Sequence, residues 1–143
     1  MKNILFSLLI TIILVSCSKY EEGPFVCFKS PEKRITKLWT LKEYYVNDEF
    51  ILINDLGIEI WEKTYNPDGT GIQTIQLIGM KPVNENFEWK FNEKKDSIFE
   101  RFRGSNNEWS DFYSKKIIRL SSNDLWIVEK NNNEEIKYFF GIN

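Results

Sequence analysis

The feature that most constrains the fold of this chain is a series of short apolar stretches separated by turn residues. Each stretch holds about five to ten residues rich in aromatic and β-branched side chains, and no long segment has the 3.6-residue period of an amphipathic helix. Sequential strands joined by short turns predict an all-β, up-and-down antiparallel meander, and eight strands suffice to close a small barrel. The predicted strands are residues 38–47, 57–65, 70–78, 87–91, 98–103, 112–120, 125–129 and 135–140.

The clearest turn in the sequence is Asn66-Pro67-Asp68-Gly69. Proline presets φ, the polar side chains can accept hydrogen bonds from the backbone, and glycine takes the left-handed conformation that such a hairpin requires. One short helix is predicted over residues 31–37, with Ser30 as its N-cap and Pro31 in its first turn. Residues 50–56 fit either a loop or a short helix across the mouth of the barrel.

The first 17 residues have the pattern of a processed leader. A lysine near the start, an apolar run over residues 4–15 and a small residue at Ser16 predict a signal peptide over residues 1–16. The run is shorter than the roughly 20 residues that a spanning helix needs. Residues 14–17, Leu-Val-Ser-Cys, resemble a bacterial lipobox, which implies that Cys17 becomes the first mature residue and carries lipid. The alternative is an ordinary signal peptide followed by a chance cysteine.

A tether over residues 17–30 would then join the lipid to a single domain over residues 31–143. In residues 18–23 a lysine precedes two glutamates, and this order resembles the surface-export signal of Bacteroidota lipoproteins; a plain polar spacer is the alternative. We therefore expect an outer-membrane lipoprotein that contacts the membrane through its Cys17 anchor. It faces either the cell surface or the periplasm.

The charged residues and cysteines exclude several classes of partner. Removal of residues 1–16 leaves 18 basic and 21 acidic side chains with no basic block, so neither nucleic acid nor an anionic lipid surface is an expected partner. If Cys17 is lipidated, Cys27 has no partner for a disulfide. Its apolar neighbours Val26 and Phe28 predict a buried, inert thiol.

Several motifs along the mature chain occur in the order found in one family. They are Gly23-Pro24-Phe25, Arg34, Leu38-Trp39-Thr40-Leu41, the Tyr65–Thr70 turn and Trp89-Lys90-Phe91. Together with the lipobox, they resemble the small lipocalin-like outer-membrane lipoproteins of Bacteroidota. The resemblance implies a lipocalin-like barrel loosely associated with the binding of small or apolar ligands. One departure is Lys37, which stands where the lipocalin Gly-x-Trp pattern has glycine.

The chain has no histidine, which removes histidine-based triads and most zinc sites. No phosphate-binding loop, nucleophile elbow or calcium loop is present in the sequence, so we expect a protein without cofactor, metal or catalysis. Glutamates continue the apolar face of four strands, at Glu43, Glu62, Glu100 and Glu129. If these carboxylates enter the barrel, they either form a polar or cationic ligand site or pair with Arg101, Arg103 or Arg119. Otherwise all but Glu100 lie at exposed strand ends.

Aromatic residues supply the remaining candidates. An eight-stranded barrel needs large side chains in its lumen, and some of these can contact a ligand. Trp61 and Trp126 fall on the opposite register from their isoleucine-rich faces, so either they face outward or the predicted register is wrong. If they face outward, they could contact a protein partner, as could Trp109 in its polar loop. The main hypothesis is a carrier of a small apolar ligand, and the alternative is an accessory lipoprotein that docks on an outer-membrane protein. The predicted ligand contacts are Trp39, Tyr45, Trp89, Glu100, Phe102 and Tyr138.

Overall fold

The computed structural model describes residues 20–23 and 29–143; the predicted signal peptide, Cys17 and Cys27 lie outside the described residues. A five-residue helix, α1 (Pro31–Ile35), precedes the strands, and a 3-10 turn (Ile53–Leu56) interrupts them. The strands are β1 (Leu38–Val46), β2 (Glu49–Ile51), β3 (Ile58–Tyr65), β4 (Thr70–Leu77), β5 (Val83–Phe91), β6 (Ser97–Phe102), β7 (Tyr113–Leu120), β8 (Asp124–Lys130) and β9 (Glu135–Gly141).

The sheet closes on itself. Strands β3 to β8 each pair antiparallel with the next strand in the chain, and β1 pairs with β3 on one side and β9 on the other. These eight strands form a closed up-and-down antiparallel barrel, which confirms the predicted fold class. Strand β2 adds a short hairpin to the end of β1. For residues 50–56 the sequence allowed either a loop or a short helix. In the structure these residues contain part of β2 and the 3-10 turn.

Local sequence signals explain the turn and the helix. Gly69 has a φ of 84°, in the left-handed region. The backbone amide of Asn66 closes the turn by donating to the Thr70 carbonyl at 2.9 Å. The Asp68 carboxylate accepts from the Thr70 amide at 2.9 Å. Helix α1 begins after Ser30, whose hydroxyl caps the Lys33 amide, and it ends two residues earlier than predicted. None of the helices within residues 20–23 and 29–143 is long and apolar enough to span a membrane.

The two ends of the barrel are built differently. The closed end is the one where α1, the β3–β4 turn and the β7–β8 turn lie; the open end has the β1–β2 hairpin, the β4–β5 turn and the β6–β7 loop. At the closed end, Ile35 of α1 is fully buried, and its carbonyl accepts from the Trp39 indole at 2.8 Å. The other buried members of this closed-end core are Leu41, Tyr65, Phe87, Trp89, Ile98, Ile117, Leu120, Leu125, Ile127 and Phe140.

Irregularities in β1 and β3 overturn part of the predicted register. The pairing shifts between Leu41 and Glu43, so Tyr44 packs against the core and Tyr45 lies on the outer face. Because a one-residue shift moves the following side chains to the opposite face, the prediction of an inward Tyr45 was wrong. Glu43 is exposed, which agrees with the second of the two positions that the sequence allowed for it. The same kind of shift between residues 58 and 60 in β3 turns Trp61 inward and Glu62 outward.

The described part of the tether, residues 20–23, packs beside the closed end. Tyr20 is buried, and its hydroxyl donates to the carbonyl of Lys95, in the β5–β6 turn, at 2.9 Å. The Glu22 amide donates to the Ile118 carbonyl on β7 at 2.9 Å. The chain therefore enters the domain at the end opposite the open mouth.

Candidate functional site

A cavity of about 290 Å³ lies inside the open end of the barrel. Its wall is formed by inward-facing side chains from β3 to β9, so that seven of the eight barrel strands contribute. The alternation of side chains along each strand brings these residues together although they are far apart in the chain. The lining residues are Trp61, Gln73, Glu85, Phe102, Tyr113, Lys115, Glu129 and Tyr138.

A buried ionic cluster separates this cavity from the closed-end core. Glu100 is fully buried, and its Oε2 lies 2.7 Å from Nζ of Lys63 and 3.1 Å from Nζ of Lys115. The hydroxyl of Tyr65 donates to the other carboxylate oxygen, Oε1. Glu100 thus has cationic or hydroxyl partners on both oxygens, which is the condition for burying a carboxylate without a large loss of stability.

The pKa values of the cluster follow from burial and charge. Burial alone would raise the pKa of Glu100, but the ammonium groups of Lys115 and Lys63 and the hydrogen bonds outweigh it and hold the pKa at about 2. Burial lowers the pKa of Lys63 to about 8 against the opposing effect of Glu100. Burial and the neighbouring Glu100 raise the pKa of Tyr65 well above its usual value. Near neutral pH, Glu100 is a carboxylate and Lys63 is mainly an ammonium.

Two polar chains line the cavity above the cluster. On one side, Nζ of Lys115 lies 3.6 Å from Oε2 of Glu129, which also accepts from the Tyr138 hydroxyl at 3.3 Å. On the other side, the Trp61 indole donates to the Gln73 side-chain oxygen at 3.3 Å, and the Gln73 amide donates to Glu85 at 3.1 Å. Each chain contains one carboxylate, Glu129 in the first and Glu85 in the second.

Aromatic pairs form two facing walls. Trp61 and Tyr138, on the strands that flank β1, meet edge to face with their ring centres 5.8 Å apart. Phe102 and Tyr113, on β6 and β7, are stacked with centres 5.9 Å apart. In the ring order of eight strands, the β6–β7 pair lies opposite β1. A ligand in the cavity would therefore lie between two aromatic surfaces.

The structure brings three of the six predicted ligand contacts to this region. Phe102 and Tyr138 line the cavity, and Glu100 forms its charged floor. Trp39 and Trp89 instead belong to the closed-end core, where the Trp89 indole donates to the carbonyls of Asn66 and Thr70. Their predicted role in ligand contact does not agree with these positions, because the core fills the lumen between them and the cavity.

The remaining predicted contacts are dispersed. Tyr45 lies on the outer face, where it packs against Phe50 and Phe139 and donates to Glu43. Trp61, expected to face outward, lines the cavity. Trp126 does face outward, but it is half-buried beneath Arg119 and beside Phe139.

Trp109 lies at a second cavity, of about 320 Å³, on the outside of the barrel. Its ring is 37% exposed and lies near the guanidinium groups of Arg101 and Arg103, at 5.2 and 5.8 Å. The other residues that line this outer groove are Asn66, Thr70, Gly71, Ile72, Asn86, Phe87 and Glu88.

Sequence reasoning missed both lysines that neutralise Glu100. It proposed arginines, but Arg101 pairs with Glu88 and Arg119 with Asp124 on the outer face. The signal for Lys63 was its position between Trp61 and Tyr65 on one face of β3. The same pattern places Lys115 between Tyr113 and Ile117 on β7.

The described residues hold no group of three or more acidic or cysteine side chains positioned to bind a metal ion. What the site offers is a cavity open to solvent at the mouth of the barrel, with aromatic faces, two carboxylates at its edge and an ionic floor. In comparisons with known proteins, no protein-family model matches the sequence, and no curated protein is significantly similar to it.

Proposed function

We propose that this protein is a non-enzymatic, lipid-anchored binder of one small molecule, held in the open-end cavity. The observation that carries the proposal is the cavity itself, which interrupts an otherwise filled barrel and has a volume of about 290 Å³. That volume is at the lower limit of small-molecule sites, so the ligand is small, with about one ring and a short substituent. Binding is an equilibrium in a largely preformed site.

The ionic floor supports a binding role over catalysis. A general acid needs a pKa near the working pH, whereas Lys115 and Lys63 keep Glu100 ionised down to about pH 2. Glu100 is also fully buried beneath the cavity lining. Its contribution is to fix Lys63, Tyr65 and Lys115 in place and so preorganise the cavity.

The proposed anchor agrees with the orientation of the barrel. Two residues, Ser18 and Lys19, lie between Cys17 and Tyr20. The three Cα–Cα steps from Cys17 to Tyr20 span at most about 11 Å. Tyr20 lies beside the closed end, so a lipid on Cys17 would hold that end near the bilayer. The open mouth would then point away from the membrane, where a ligand can enter from water. We propose the outer membrane as this bilayer.

The test is to ask whether the protein carries cargo from its own membrane. Full-length protein is extracted gently, and small molecules released on denaturation are identified by mass spectrometry. The matched control is Gln73→Trp, which adds an indole at a residue lining the cavity, with retained folding checked by circular dichroism. We expect a molecule that is released by the wild type and absent from the variant. Equal release from both, or none from either, would contradict the proposal.

A second candidate function has one observation in its favour. Large apolar side chains are exposed in two adjacent segments at the open end, joined by a 2.9 Å hydrogen bond from the Ile78 amide to the Gly57 carbonyl. Met80 and Val83 are each 61% exposed. Contiguous exposed apolar surface favours a protein contact. The members of this apolar rim are Phe50, Leu52, Leu56, Leu77, Ile78, Met80 and Val83.

Under this alternative the protein is an accessory lipoprotein that docks on an outer-membrane protein through the apolar rim. A photo-crosslinking residue at Met80 should capture one defined outer-membrane protein, and the same residue at Asn123 of the closed end should not. Equal crosslinking from both positions would contradict rim docking.

A further inference from the structure

The charges around the cavity are arranged unevenly, and this asymmetry bears on the chemistry of the ligand. Both lysines that point inward are directed toward carboxylates: Lys63 toward Glu100, and Lys115 toward Glu100 and Glu129. The side chain of Lys63 is only 2% exposed and that of Lys115 only 7%. Neither ammonium is therefore free to bind a ligand anion.

The carboxylates at the cavity edge are less fully neutralised. Among the described residues, Glu85 forms no ion pair and accepts a hydrogen bond from the neutral Gln73 amide. Glu129 shares Lys115 with Glu100 and is 21% exposed. Of the charged residues that line the cavity, two are acidic and one is basic, so its net charge is negative.

The aromatic walls already face two ammonium groups of the protein. Nζ of Lys63 lies 5.2 Å from the centre of the Phe102 ring, and Nζ of Lys115 lies 5.3 and 5.0 Å from those of Tyr113 and Tyr138, an arrangement in which ring faces attract cations. Burial and the carboxylates of Glu100, Glu129 and Glu85 raise the pKa of Tyr113 above its usual value. Burial and Glu129 likewise raise the pKa of Tyr138. Burial is the main cause of both shifts, and the Glu129 carboxylate contributes to each.

We propose that the cavity selects small organic cations, in which an ammonium group is attached to a flat apolar ring. The ammonium lies toward Glu85 and Glu129, and the ring lies between the Trp61–Tyr138 pair and the Phe102–Tyr113 pair. This inference rests on the proposed binding function and specifies its ligand class. A neutral hydroxylated ring could use the same hydrogen-bond acceptors but gains nothing from the net charge.

Three probes of one shape test the inference: 2-phenylethylamine, 2-phenylethanol and phenylacetate. Each is titrated at neutral pH into the full-length protein in neutral detergent, with ligand-observed NMR or calorimetry as the measurement. We expect the amine to bind about tenfold more tightly than the alcohol, and phenylacetate to bind most weakly. Added salt should weaken binding of the amine and leave binding of the alcohol unchanged.

A matched pair of variants assigns the preference to the cavity. Glu85→Gln removes an acidic group that accepts from Gln73, and Glu59→Gln removes one that accepts from Gln76 on the outer face at 2.9 Å. We expect Glu85→Gln to weaken amine binding about threefold to fivefold and Glu59→Gln to have no effect.

The outcomes separate this inference from the proposed function. Equal or tighter binding of the alcohol or of phenylacetate would overturn selectivity for cations, and so would an amine affinity that Glu85→Gln leaves unchanged. Failure of all three probes would also overturn it. The proposed function is judged separately, by whether native cargo is released from the wild type and not from Gln73→Trp.

Discussion

The closed and open ends of this barrel are formed by the same strands but are filled by different chemistry. At the closed end, the inward side chains are mainly aromatic and aliphatic, and they pack on one another until the lumen is full. At the open end, the next inward positions on those strands are occupied by residues such as Lys63, Gln73, Glu100 and Lys115. Tight apolar packing stabilises the fold, whereas a cavity lined by polar groups provides recognition. Eight strands thus support a core and a binding site at once.

The largest difference between the ends should appear when a tryptophan is removed from each. Trp39→Ala removes a fully buried indole and its hydrogen bond to Ile35, and we expect it to lower the free energy of unfolding by about 3–5 kcal/mol. Trp61→Ala removes a half-buried indole that borders a cavity, so we expect a loss of no more than about 1–2 kcal/mol. Urea denaturation measures both. Equal losses would remove the distinction between a packing end and a binding end.

The next effect concerns the ionic floor between the two ends. Glu100→Gln leaves Lys63 buried without its carboxylate, although Lys115 keeps Glu129. We expect the free energy of unfolding to fall by about 3 kcal/mol. The Glu59→Gln variant, which makes the same change on the outer face, should alter it by less than about 0.5 kcal/mol. A Glu100→Gln protein as stable as the wild type would show that the Glu100 ion pairs do not stabilise the fold.

Acid should reduce the contribution of Glu100 to the free energy of unfolding. The pKa of Glu100 is about 2 in the folded protein against 4.5 for an unperturbed glutamate. A carboxyl whose pKa is lowered by folding contributes stability above pH 4.5 that is lost as pH falls toward 2, by up to about 3 kcal/mol in total. Comparison with Glu100→Gln isolates this contribution, because other carboxylates titrate in both proteins. Parallel pH profiles of stability would contradict it.

The smallest expected effect concerns the attachment of the tether to the closed end. The Lys116–Glu21 ion pair is exposed on both sides, so Glu21→Gln should change stability by less than about 0.5 kcal/mol. Tyr20→Ala, which removes a buried ring, should cost about 2 kcal/mol. The reverse order would mean that charge, and not packing, holds the tether against the barrel.

The fold was readable from the sequence because its signals are local. Alternating apolar stretches and the Asn66–Gly69 turn gave the strands and the barrel, and Ser30 with Pro31 gave the start of α1. The register of β1 and β3 was harder to predict from the sequence. A single extra residue in β1 and in β3 reverses the faces of Tyr45 and Trp61, and no residue type in those strands marks the irregularity.

The candidate site could be predicted only in part for a related reason. Glu100 was identifiable because Ile98 and Phe102 flank it on one face of β6. Its partners come from β3 and β7, and which strands meet across a lumen depends on barrel closure and register together. The cavity itself arises from the balance of side-chain volumes along the barrel, and that balance is a property of all the strands.

The most direct test of the account asks which end of the barrel responds to a ligand. Tryptophan indole signals, recorded by NMR on protein labelled with ¹⁵N-tryptophan, report each position separately. In the structure, the Trp61 indole donates to Gln73 in the cavity, whereas those of Trp39 and Trp89 donate to backbone carbonyls at the closed end. On titration with 2-phenylethylamine, we expect a saturable shift of the Trp61 signal, with the signals of Trp39, Trp89 and Trp109 unchanged. A shift of Trp109 or of the closed-end indoles without Trp61 would contradict it.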